Sequence, residues 1–253
     1  MKILLSPAKT LEMERELPIK TCTQPLFLDD IQTIQKVMKK VSVQKLGTLM
    51  HISDSLAELN YQRFQEFNQD FTQQNARQAI YAFAGDVYTG LDAYTLDNKH
   101  LDYLQSHVRI LSGLYGYLRP LDLMQPYRLE MGTSIAIGDN KNLYDFWKEK
   151  VTTSLNKEQA TSGLVVNLAS TEYFKVVDTK KLNATIISPV FKDFKNGKLK
   201  VISFFAKKAR GSMARYLVEN KASSLDHLLS FKEDGYAYSM EHTLKDSEPV
   251  FIR

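Results

Sequence analysis

Residues 185–221 read TIISPVFKDFKNGKLKVISFFAKKARGSMARYLVENK, and this stretch indicates the fold class. Two apolar runs, Thr185–Phe191 and Leu199–Phe205, flank the tetrapeptide Lys195-Asn196-Gly197-Lys198. Asn-Gly between apolar runs is a strong short-range signal for a β-hairpin. Residues 206–221 then repeat apolar side chains at helical spacing. The stretch therefore predicts two strands joined by a tight turn and followed by a helix.

Strands and helices alternate along the rest of the chain, but without a strict βαβ rhythm. Apolar runs predict further strands at Ile3–Leu5, Ala79–Ala84, Val108–Leu111, Gly163–Leu168, Tyr236–Met240 and Pro249–Ile252. Helical spacing and capping residues predict helices at Leu28–Lys40, Val43–Met50, Ser53–Phe67, Leu96–His107, Leu143–Leu155 and Ser170–Val177. We expect one α+β (mixed α/β) domain over residues 1–253, with a mixed sheet and flanking helices, rather than a Rossmann fold.

The composition is that of an ordinary globular protein. Of the 253 residues, 43% are hydrophobic and 25% are charged, which excludes a wholly disordered chain. The single cysteine, Cys22, excludes a disulfide framework and a cysteine-built zinc site. No apolar run approaches the roughly 20 residues of a membrane-spanning helix, and the apolar start at residues 3–5 is too short for a signal peptide. We therefore expect a cytoplasmic protein.

The positive charge is concentrated in one segment. The whole chain has a net charge of +4, but residues 191–221 carry nine basic and two acidic side chains, a net charge of +7. The first 190 residues are neutral, and residues 222–253 carry a net charge of −3. A local patch of this kind attracts polyanions even when the net charge is small. The alternative interpretation is a solvated, lysine-rich hairpin and helix.

The helix predicted at 206–221 has an apolar face and a basic face. On a helical projection, Ala209, Met213 and Leu217 lie opposite an arc of cations made by Lys207, Lys208, Arg210 and Arg215. Several cations aimed outward together are suited to phosphate groups, although a plain amphipathic surface helix has the same pattern. Gly211 costs about 1 kcal/mol relative to alanine inside a helix. Its presence suggests the close approach of another backbone.

Polar side chains follow several of the predicted strands. The chain after the first predicted strand, residues 6–10, contains a serine and a lysine. Residues 166–173, at the end of another predicted strand, contain a serine and a glutamate, and Ser170 is placed to cap a helix. If those strands are adjacent and parallel, their carboxyl ends form one polar cleft. The Leu111–Gly116 loop is a further candidate as an anion cradle, or else a loop pinned by its own aromatic side chains. The candidate lining residues are Ser6, Lys9, Arg109, Tyr115, Arg119, Arg128, Asn167, Ser170 and Glu172.

The sequence contains no recognisable catalytic or metal-binding motif. The five histidines form neither His-x-His nor His-Glu-x-x-His, and Cys22 has no basic neighbour in sequence that would lower its thiol pKa. We also find no Gly-x-Ser-x-Gly and no compact set of carboxylates with a lysine. We therefore predict no metal, no cofactor and no assignable reaction.

Several longer strings resemble the YaaA family, a bacterial family associated with resistance to peroxide stress. The resemblance extends from Met1 to about Tyr236 and is carried by Ser6–Thr10, Ile52–Ala57, Gly85–Leu91, Leu111–Gly116, Leu118–Gly132, Val166–Phe174 and Phe204–Gly211. It implies a cytoplasmic protein with a mixed fold of its own type that protects cells against hydrogen peroxide. Protection in the family is linked to limiting free iron and to DNA repair, and no catalytic reaction is established.

The resemblance also implies binding of duplex and branched DNA through a positively charged cleft and a helix-hairpin-helix element. We assign that element to Val43–Phe67, two helices joined around His51-Ile52-Ser53. This hinge lacks the Gly-x-Gly that such hairpins usually present to phosphate.

Our leading hypothesis is a DNA-binding stress protein without sequence specificity. Phosphates are held by Lys207, Lys208, Arg210 and Arg215, and Lys9, Arg109, Arg119 and Arg128 line the cleft. One alternative is an enzyme that acts on a small phosphorylated or carboxylated substrate in the same cleft. A second alternative, an iron-sequestering protein, finds no ligand set in the sequence.

Overall fold

A five-stranded mixed sheet forms the centre of the structure, a computed structural model that describes residues 1–158 and 163–253. The strand order is β6-β5-β1-β8-β9, and β6 alone in this sheet is antiparallel to its neighbour. The strands of the structure are β1 Lys2–Leu5, β2 Thr10–Leu11, β3 Arg77–Gln78, β4 Phe83–Ala84, β5 Val108–Ser112, β6 Gly116–Leu118, β7 Leu123–Met124, β8 Gly163–Asn167, β9 Ala184–Ile187, β10 Val190–Lys195, β11 Lys198–Lys200, β12 Ala237–Tyr238 and β13 Val250–Ile252.

The α-helices flank the sheets. They are α1 Leu28–Met38, α2 Val43–Met50, α3 Asp54–Glu66, α4 Ala79–Ala82, α5 Asp86–Leu91, α6 Leu101–His107, α7 Leu143–Lys157, α8 Thr171–Phe174, α9 Ser203–Glu219 and α10 Leu225–Leu229. Short 3₁₀ turns occupy Ala93–Thr95, Asn98–His100 and Glu233–Gly235. The mixed α/β architecture predicted from the sequence is confirmed.

The central strand β1 pairs in parallel with β5 on one side and β8 on the other. Ile3 stands opposite both Val108 and Val166, so the three strands are nearly level with one another. All four residues of β1 are buried. A parallel strand that is covered on both faces has such a near-continuous apolar run. The carboxyl ends of β1, β5 and β8 therefore meet at one edge of the sheet, which confirms the predicted adjacency.

The second sheet contains the predicted hairpin. Its strand order is β11-β10-β13-β12, and β10 turns into β11 through Asn196 and Gly197. Both turn residues have positive φ, 54° and 72°, the conformation for which Asn-Gly is preferred in a two-residue hairpin. The hairpin prediction is confirmed.

Three of the predicted strands are wrong in part. The run Thr185–Phe191 is divided at Ser188 and Pro189, so β9 joins the central sheet while β10 joins the second sheet. The run predicted as Leu199–Phe205 leaves the sheet after Lys200, and α9 begins at Ser203. Residues 79–82, predicted as part of a strand, form the short helix α4, because a fully buried apolar run is compatible with either structure.

The helical predictions fit the structure more closely. Helices α1, α2, α3 and α7 lie within two residues of the predicted bounds, and the predicted helix Leu96–His107 is a 3₁₀ turn followed by α6. Ser53 caps α3, because its Oγ accepts a hydrogen bond from the Leu56 amide at 3.4 Å. The predicted capping of α8 by Ser170 is wrong, since its side chain makes no hydrogen bond to that helix.

Candidate functional site

An open cleft of about 550 Å³ lies where β1 and β8 end and α9 crosses above them. The chain after β1 forms one wall, and the start of α5 forms another. Four segments contribute polar and charged residues to the cleft. These residues are Ser6, Lys9, Thr10, Asp86, Tyr88, Ser170, Glu172, Tyr173, Lys207 and Arg210.

Hydrogen bonds between serines join the two strand ends. The Ser170 amide donates to Ser6 Oγ at 2.8 Å, and Ser6 Oγ donates to Ser170 Oγ at 3.3 Å. The Tyr88 hydroxyl donates to the Ser6 carbonyl at 2.9 Å, which ties α5 to the same point. Burial raises the Tyr88 pKa well above its usual range, so this hydroxyl is a donor throughout the physiological range.

Two glycines allow α9 to lie directly on α5. A Cβ on Gly90 would overlap the Lys208 carbonyl oxygen, and a Cβ on Gly211 would overlap the Val87 carbonyl oxygen. The predicted close approach at Gly211 is therefore confirmed. This backbone contact holds Lys207 and Arg210 over the strand ends.

The cations of the cleft differ in how they are paired. Lys9 Nζ lies 3.1 Å from Glu130 Oε1, while Lys207 Nζ lies 4.0 Å from Asp86 Oδ2, the outer limit of an ion pair. Arg210 has no hydrogen-bond or ion-pair partner among residues 1–158 and 163–253. Burial lowers the pKa of its guanidinium. A half-buried cation without a counter-ion is poised to accept an external anion.

A second depression of about 580 Å³ continues from the cleft past Lys9 and Glu172. Its floor carries Arg128, whose guanidinium donates to Glu130 Oε1 at 3.1 Å. Its far wall is the end of α2 with the turn residue His51, which has a φ of 52°. The hinge between α2 and α3 thus opens onto the same groove as Lys9 and Arg128.

Two arginines predicted to line the cleft lie elsewhere. Arg109 is in the amino-terminal half of β5, is 3% exposed and contacts Glu158 Oε2 at 2.7 Å. Arg119 follows β6, which runs antiparallel to β5 and so returns to the opposite edge of the sheet. It contacts Asp122 Oδ1 at 2.9 Å. Their placement in the cleft was wrong, because sequence position alone does not reveal the edge a strand end occupies.

Tyr115 and Asn167 do not line the cleft either. Tyr115 is fully buried, and its hydroxyl accepts a hydrogen bond from the Gln125 amide at 2.9 Å. The amides of Leu114 and Tyr115 donate to Ser112 Oγ, so these amides of the predicted anion cradle already have a partner within the loop. The Asn167 side chain donates to Ser188 Oγ at 3.2 Å and accepts from the Ala169 amide at 3.1 Å, which engages its amide within the turn.

The four basic residues predicted on α9 separate into two groups. Lys207 and Arg210 face the cleft. Lys208 lies outside it, 3.8 Å from Asp234 Oδ1. Arg215 binds protein groups, since its guanidinium donates to the Asp92 carbonyl at 2.8 Å and to Glu219 Oε1 at 2.9 Å.

Sequence reasoning missed the contribution of α5 and of Glu130. Asp86 and Tyr88 line the cleft, yet the string Gly85-Asp86-Val87-Tyr88 was considered only for its resemblance to a family. An acidic residue directly after a glycine that ends a short strand was the available signal. Glu130 gave none, because its pairing with Lys9 joins residues far apart in sequence.

Two further structural observations apply to the described part of the chain. No three histidine, cysteine, aspartate or glutamate side chains there lie close enough to hold a metal ion. None of the helices described is both long enough and apolar enough to cross a membrane.

These features define a class of protein, a mixed α/β protein whose parallel strands end in a polar cleft lined by three basic and two acidic side chains. The model of the family described as "Peroxide stress protein YaaA" matches residues 1–242, and this chain belongs to that family. A UPF0246 protein of Flavobacterium psychrophilum is 56% identical over 253 residues, covering all of both chains. A UPF0246 protein of Alteromonas mediterranea is 53% identical over 255 residues, covering all of this chain and 98% of its own. The resemblance inferred from the sequence is therefore confirmed, and the chain is a member of a peroxide-stress family.

Proposed function

We propose that this protein binds duplex or branched DNA through the cleft, largely without regard to base sequence, as part of the response to peroxide. The observation that carries the proposal is Arg210, a half-buried guanidinium without a counter-ion among the described residues, held beside Lys207. A phosphate group supplies the missing negative charge and accepts the fork of guanidinium donors.

The neighbouring ion pairs support the same proposal. The Lys207–Asp86 contact is long, at 4.0 Å, and the lysine is about half exposed. Exposed pairs of this kind contribute roughly 0–1 kcal/mol, so an incoming phosphate displaces Asp86 from Lys207 at little cost. Lys9, on the opposite wall, is two-thirds exposed, and its contact with Glu130 is the shorter of the two, at 3.1 Å.

The hinge between α2 and α3 extends the proposed interface. It borders the second depression, where Lys9 and Arg128 lie. We propose that residues 43–67 act as the helix-hairpin-helix element and bring the first turn of α3 near a second stretch of DNA backbone. The hinge residue His51 has a left-handed backbone, and the amides of His51 and Ile52 donate to the Gly47 carbonyl, so the contact with DNA falls to the residues that follow them.

Binding of this type is largely independent of sequence. The side chains offered to DNA are lysines and arginines at the edge of a sheet and on one helix face, and such contacts go to phosphates rather than to base edges. Occupation of DNA near sites of oxidative damage then connects the cleft with the peroxide response of the family.

The test is the salt dependence of binding to a short duplex and to a four-way junction. Each phosphate contact contributes about −0.9 to the slope of log K against log salt for duplex DNA. The double variant Lys207→Gln/Arg210→Gln is expected to reduce that slope by about 1.8 and to weaken binding equally for unrelated sequences. The matched control, Lys36→Gln/Lys40→Gln on exposed positions of α1 and the residues after it, removes the same charge. Equal affinities of the two double variants would refute the proposal.

A second candidate function is recognition of a small phosphorylated or carboxylated ligand in the same cleft. A cavity of about 550 Å³ has the size of a typical small-molecule site, and the half-buried Arg210 provides a fixed anion contact. Under this candidate, mononucleotides or phosphate monoesters raise the melting temperature of the protein, and Arg210→Gln abolishes the increase. Competition between DNA and such a ligand would show that both bind in the cleft.

A further inference from the structure

Three phenylalanines are exposed around a depression between the hairpin and the first turn of α9. Phe194, Phe204 and Phe205 are 63%, 57% and 39% exposed. They border an open depression of about 660 Å³ that shares no lining residue with the cleft at the strand ends. Large apolar side chains that cluster on a surface mark an interaction site more often than isolated ones do. We call this surface the aromatic platform.

The rim of the aromatic platform is basic. Lys195 and Lys198 stand directly opposite each other in the hairpin, and Lys200 stands opposite Asp193. Like charges at opposed positions destabilise a hairpin, so the Lys195–Lys198 pair does not add to stability, and an external anion would offset the repulsion. Asp193 is 5% exposed and does not offset them, because Arg253 contacts its carboxylate at 2.7 Å and the Tyr236 hydroxyl donates to it at 2.8 Å.

We propose that the aromatic platform binds a single-stranded segment of nucleic acid, with bases stacked on the exposed rings and phosphates held by the lysines. This inference rests on the proposed function, because it assigns the unpaired part of the same ligand to a second surface. Sequence-tolerant single-strand sites combine aromatic stacking surfaces with basic residues along the backbone. The Arg253 guanidinium lies 4.6 Å from the centroid of Phe205, which adds a cation to the stack.

Helix α9 connects the aromatic platform to the cleft. Phe204 and Phe205 are in its first turn, and Arg210 lies five residues beyond Phe205. At 1.5 Å of rise and about 100° of turn per residue, Arg210 lies about 8 Å further along the helix axis than Phe205 and about 140° around it, so a strand that contacts both residues passes around the helix. Bases paired in a duplex have both faces covered, so the aromatic platform is suited to the strand that leaves a duplex end, gap or junction. This continuity favours nucleic acid over a lipid surface.

The experiment measures the affinity of the full chain for oligo(dT) and for duplex DNA by fluorescence anisotropy. The variant Phe194→Ala/Phe204→Ala is expected to bind oligo(dT) at least about tenfold more weakly. Its affinity for duplex DNA is expected to stay unchanged. The matched variant Phe194→Leu/Phe204→Leu keeps apolar surface but has no ring to stack, so it is expected to lose affinity for oligo(dT) as well.

Two measurements separate stacking from other causes. An oligonucleotide with the same phosphates but abasic sugars is expected to bind the unaltered protein as weakly as oligo(dT) binds the alanine variant. In the variant Phe204→Trp, a base stacked on the new indole is expected to quench its fluorescence on addition of oligo(dT). The natural single tryptophan, Trp147, is fully buried and does not report on this surface.

The following outcomes would overturn the inference. If the abasic and normal strands bind with equal affinity, the binding is due to charge and not to stacking. If the leucine variant keeps the full affinity for oligo(dT), the contact is apolar but does not depend on aromatic rings. Binding of phosphatidylglycerol vesicles that is lost in the alanine variant, without any effect on oligo(dT), would assign the surface to lipid. If the phenylalanine variants bind oligo(dT) as tightly as the unaltered protein, and duplex DNA still binds, this inference alone is refuted. If the unaltered protein binds neither oligo(dT) nor duplex DNA, the proposed function is refuted as well.

Discussion

The Cα of Gly211 in α9 lies so close to the Val87 carbonyl of α5 that a Cβ would overlap that oxygen. The same hypothetical atom would lie 2.8 Å from the Leu91 amide nitrogen, so backbone meets backbone on both sides. Lys207 and Arg210 precede this contact on α9, and Asp86 and Tyr88 surround it on α5. The crossing of two helices therefore determines where the cations of the cleft stand relative to its carboxylate and hydroxyl.

Replacement of Gly211 by alanine is expected to destabilise the protein by about 3 kcal/mol, the upper part of the range for an overpacked core. The loss arises because neither backbone can move without separating α5 from α9. Urea unfolding measures the change in free energy, and DNA affinity is expected to fall as the cleft opens.

Gly47→Ala in α2 is the matched control for that change. A Cβ at Gly47 meets its nearest atoms at 3.6 and 3.7 Å, which are ordinary contacts. Alanine in a helix is favoured over glycine by about 1 kcal/mol, so this variant is expected to be at least as stable as the unaltered protein. A Gly211→Ala protein with unaltered stability would contradict the contact described here.

Arg210 and Arg215, five residues apart on α9, are expected to respond oppositely to substitution by glutamine. Arg210→Gln removes a half-buried cation that has no partner in the described chain, so the free energy of unfolding is expected to stay equal or to rise by up to about 1 kcal/mol. Arg215→Gln removes donors to the Asp92 carbonyl and to Thr95 Oγ1, with an expected loss of about 2 kcal/mol. Urea denaturation of the two variants provides the comparison, and a larger loss at Arg210 would disprove its assignment as a binding residue.

Glu158 is expected to make stability dependent on pH in the acidic range. Burial by itself raises the pKa of its carboxyl, but Arg109 and the hydrogen bonds from Arg109, Tyr117 and Lys2 outweigh burial, so the folded pKa lies below the ordinary 4.5. A lowered folded pKa means that the stabilisation is present above pH 4.5 and is lost as the pH falls through the folded value. Glu158→Gln is expected to cost about 3 kcal/mol at neutral pH, because it leaves buried Arg109 without a counter-charge.

The pH series distinguishes this ionic effect from a packing defect. The difference in unfolding free energy between the unaltered protein and Glu158→Gln is expected to shrink as the pH falls below about 4.5. Glu149→Gln, at an exposed position of α7, the helix that Glu158 directly follows, is expected to show no such trend. A difference that stays constant down to acidic pH would point to packing instead.

Gly197→Ala is expected to destabilise the hairpin through backbone conformation alone. The residue has a φ of 72°, and a Cβ there would meet nothing within 4 Å, so no clash contributes. A left-handed conformation costs a non-glycine residue roughly 1–2 kcal/mol. Hydrogen exchange of the β10 and β11 amides is expected to accelerate while the central sheet is unaffected, and equal acceleration in β1 would mean that the hairpin does not unfold locally.

Local signals in the sequence predicted the elements that local physics controls. Each of these elements depends on residues that are close together in the sequence. They are the Asn196-Gly197 turn, the Ser53 cap, and helices α1 and α7 with their apolar spacing. The run at 79–84 was misjudged because a fully buried helix and a fully buried strand have the same apolar composition. Ser188-Pro189 is itself a break signal, because proline has no amide to donate to a strand ladder, so the division of Thr185–Phe191 into two strands was predictable from the sequence.

The cleft residues required more than local signals. Ser6, Ser170 and Glu172 do line the cleft, and the serines that follow two predicted strands were the signal for a polar strand end. Arg109 and Arg119 were misplaced, because the direction of β6 and the position along β5 decide which edge of the sheet a side chain reaches. Tyr115 was misplaced because a tyrosine in a glycine-rich loop satisfies its hydroxyl equally well in a core or in a cleft.

The sequence by itself determined the alternation of strands and helices, the hairpin, the concentration of positive charge between residues 191 and 221, and the family. These properties depend on the order of residues along short segments. Tertiary structure alone decided which cations are free, because pairing depends on contacts between distant segments. It bound Arg215 to the end of α5 and left Arg210 without a partner in the described chain, although both lie in one basic run on one helix.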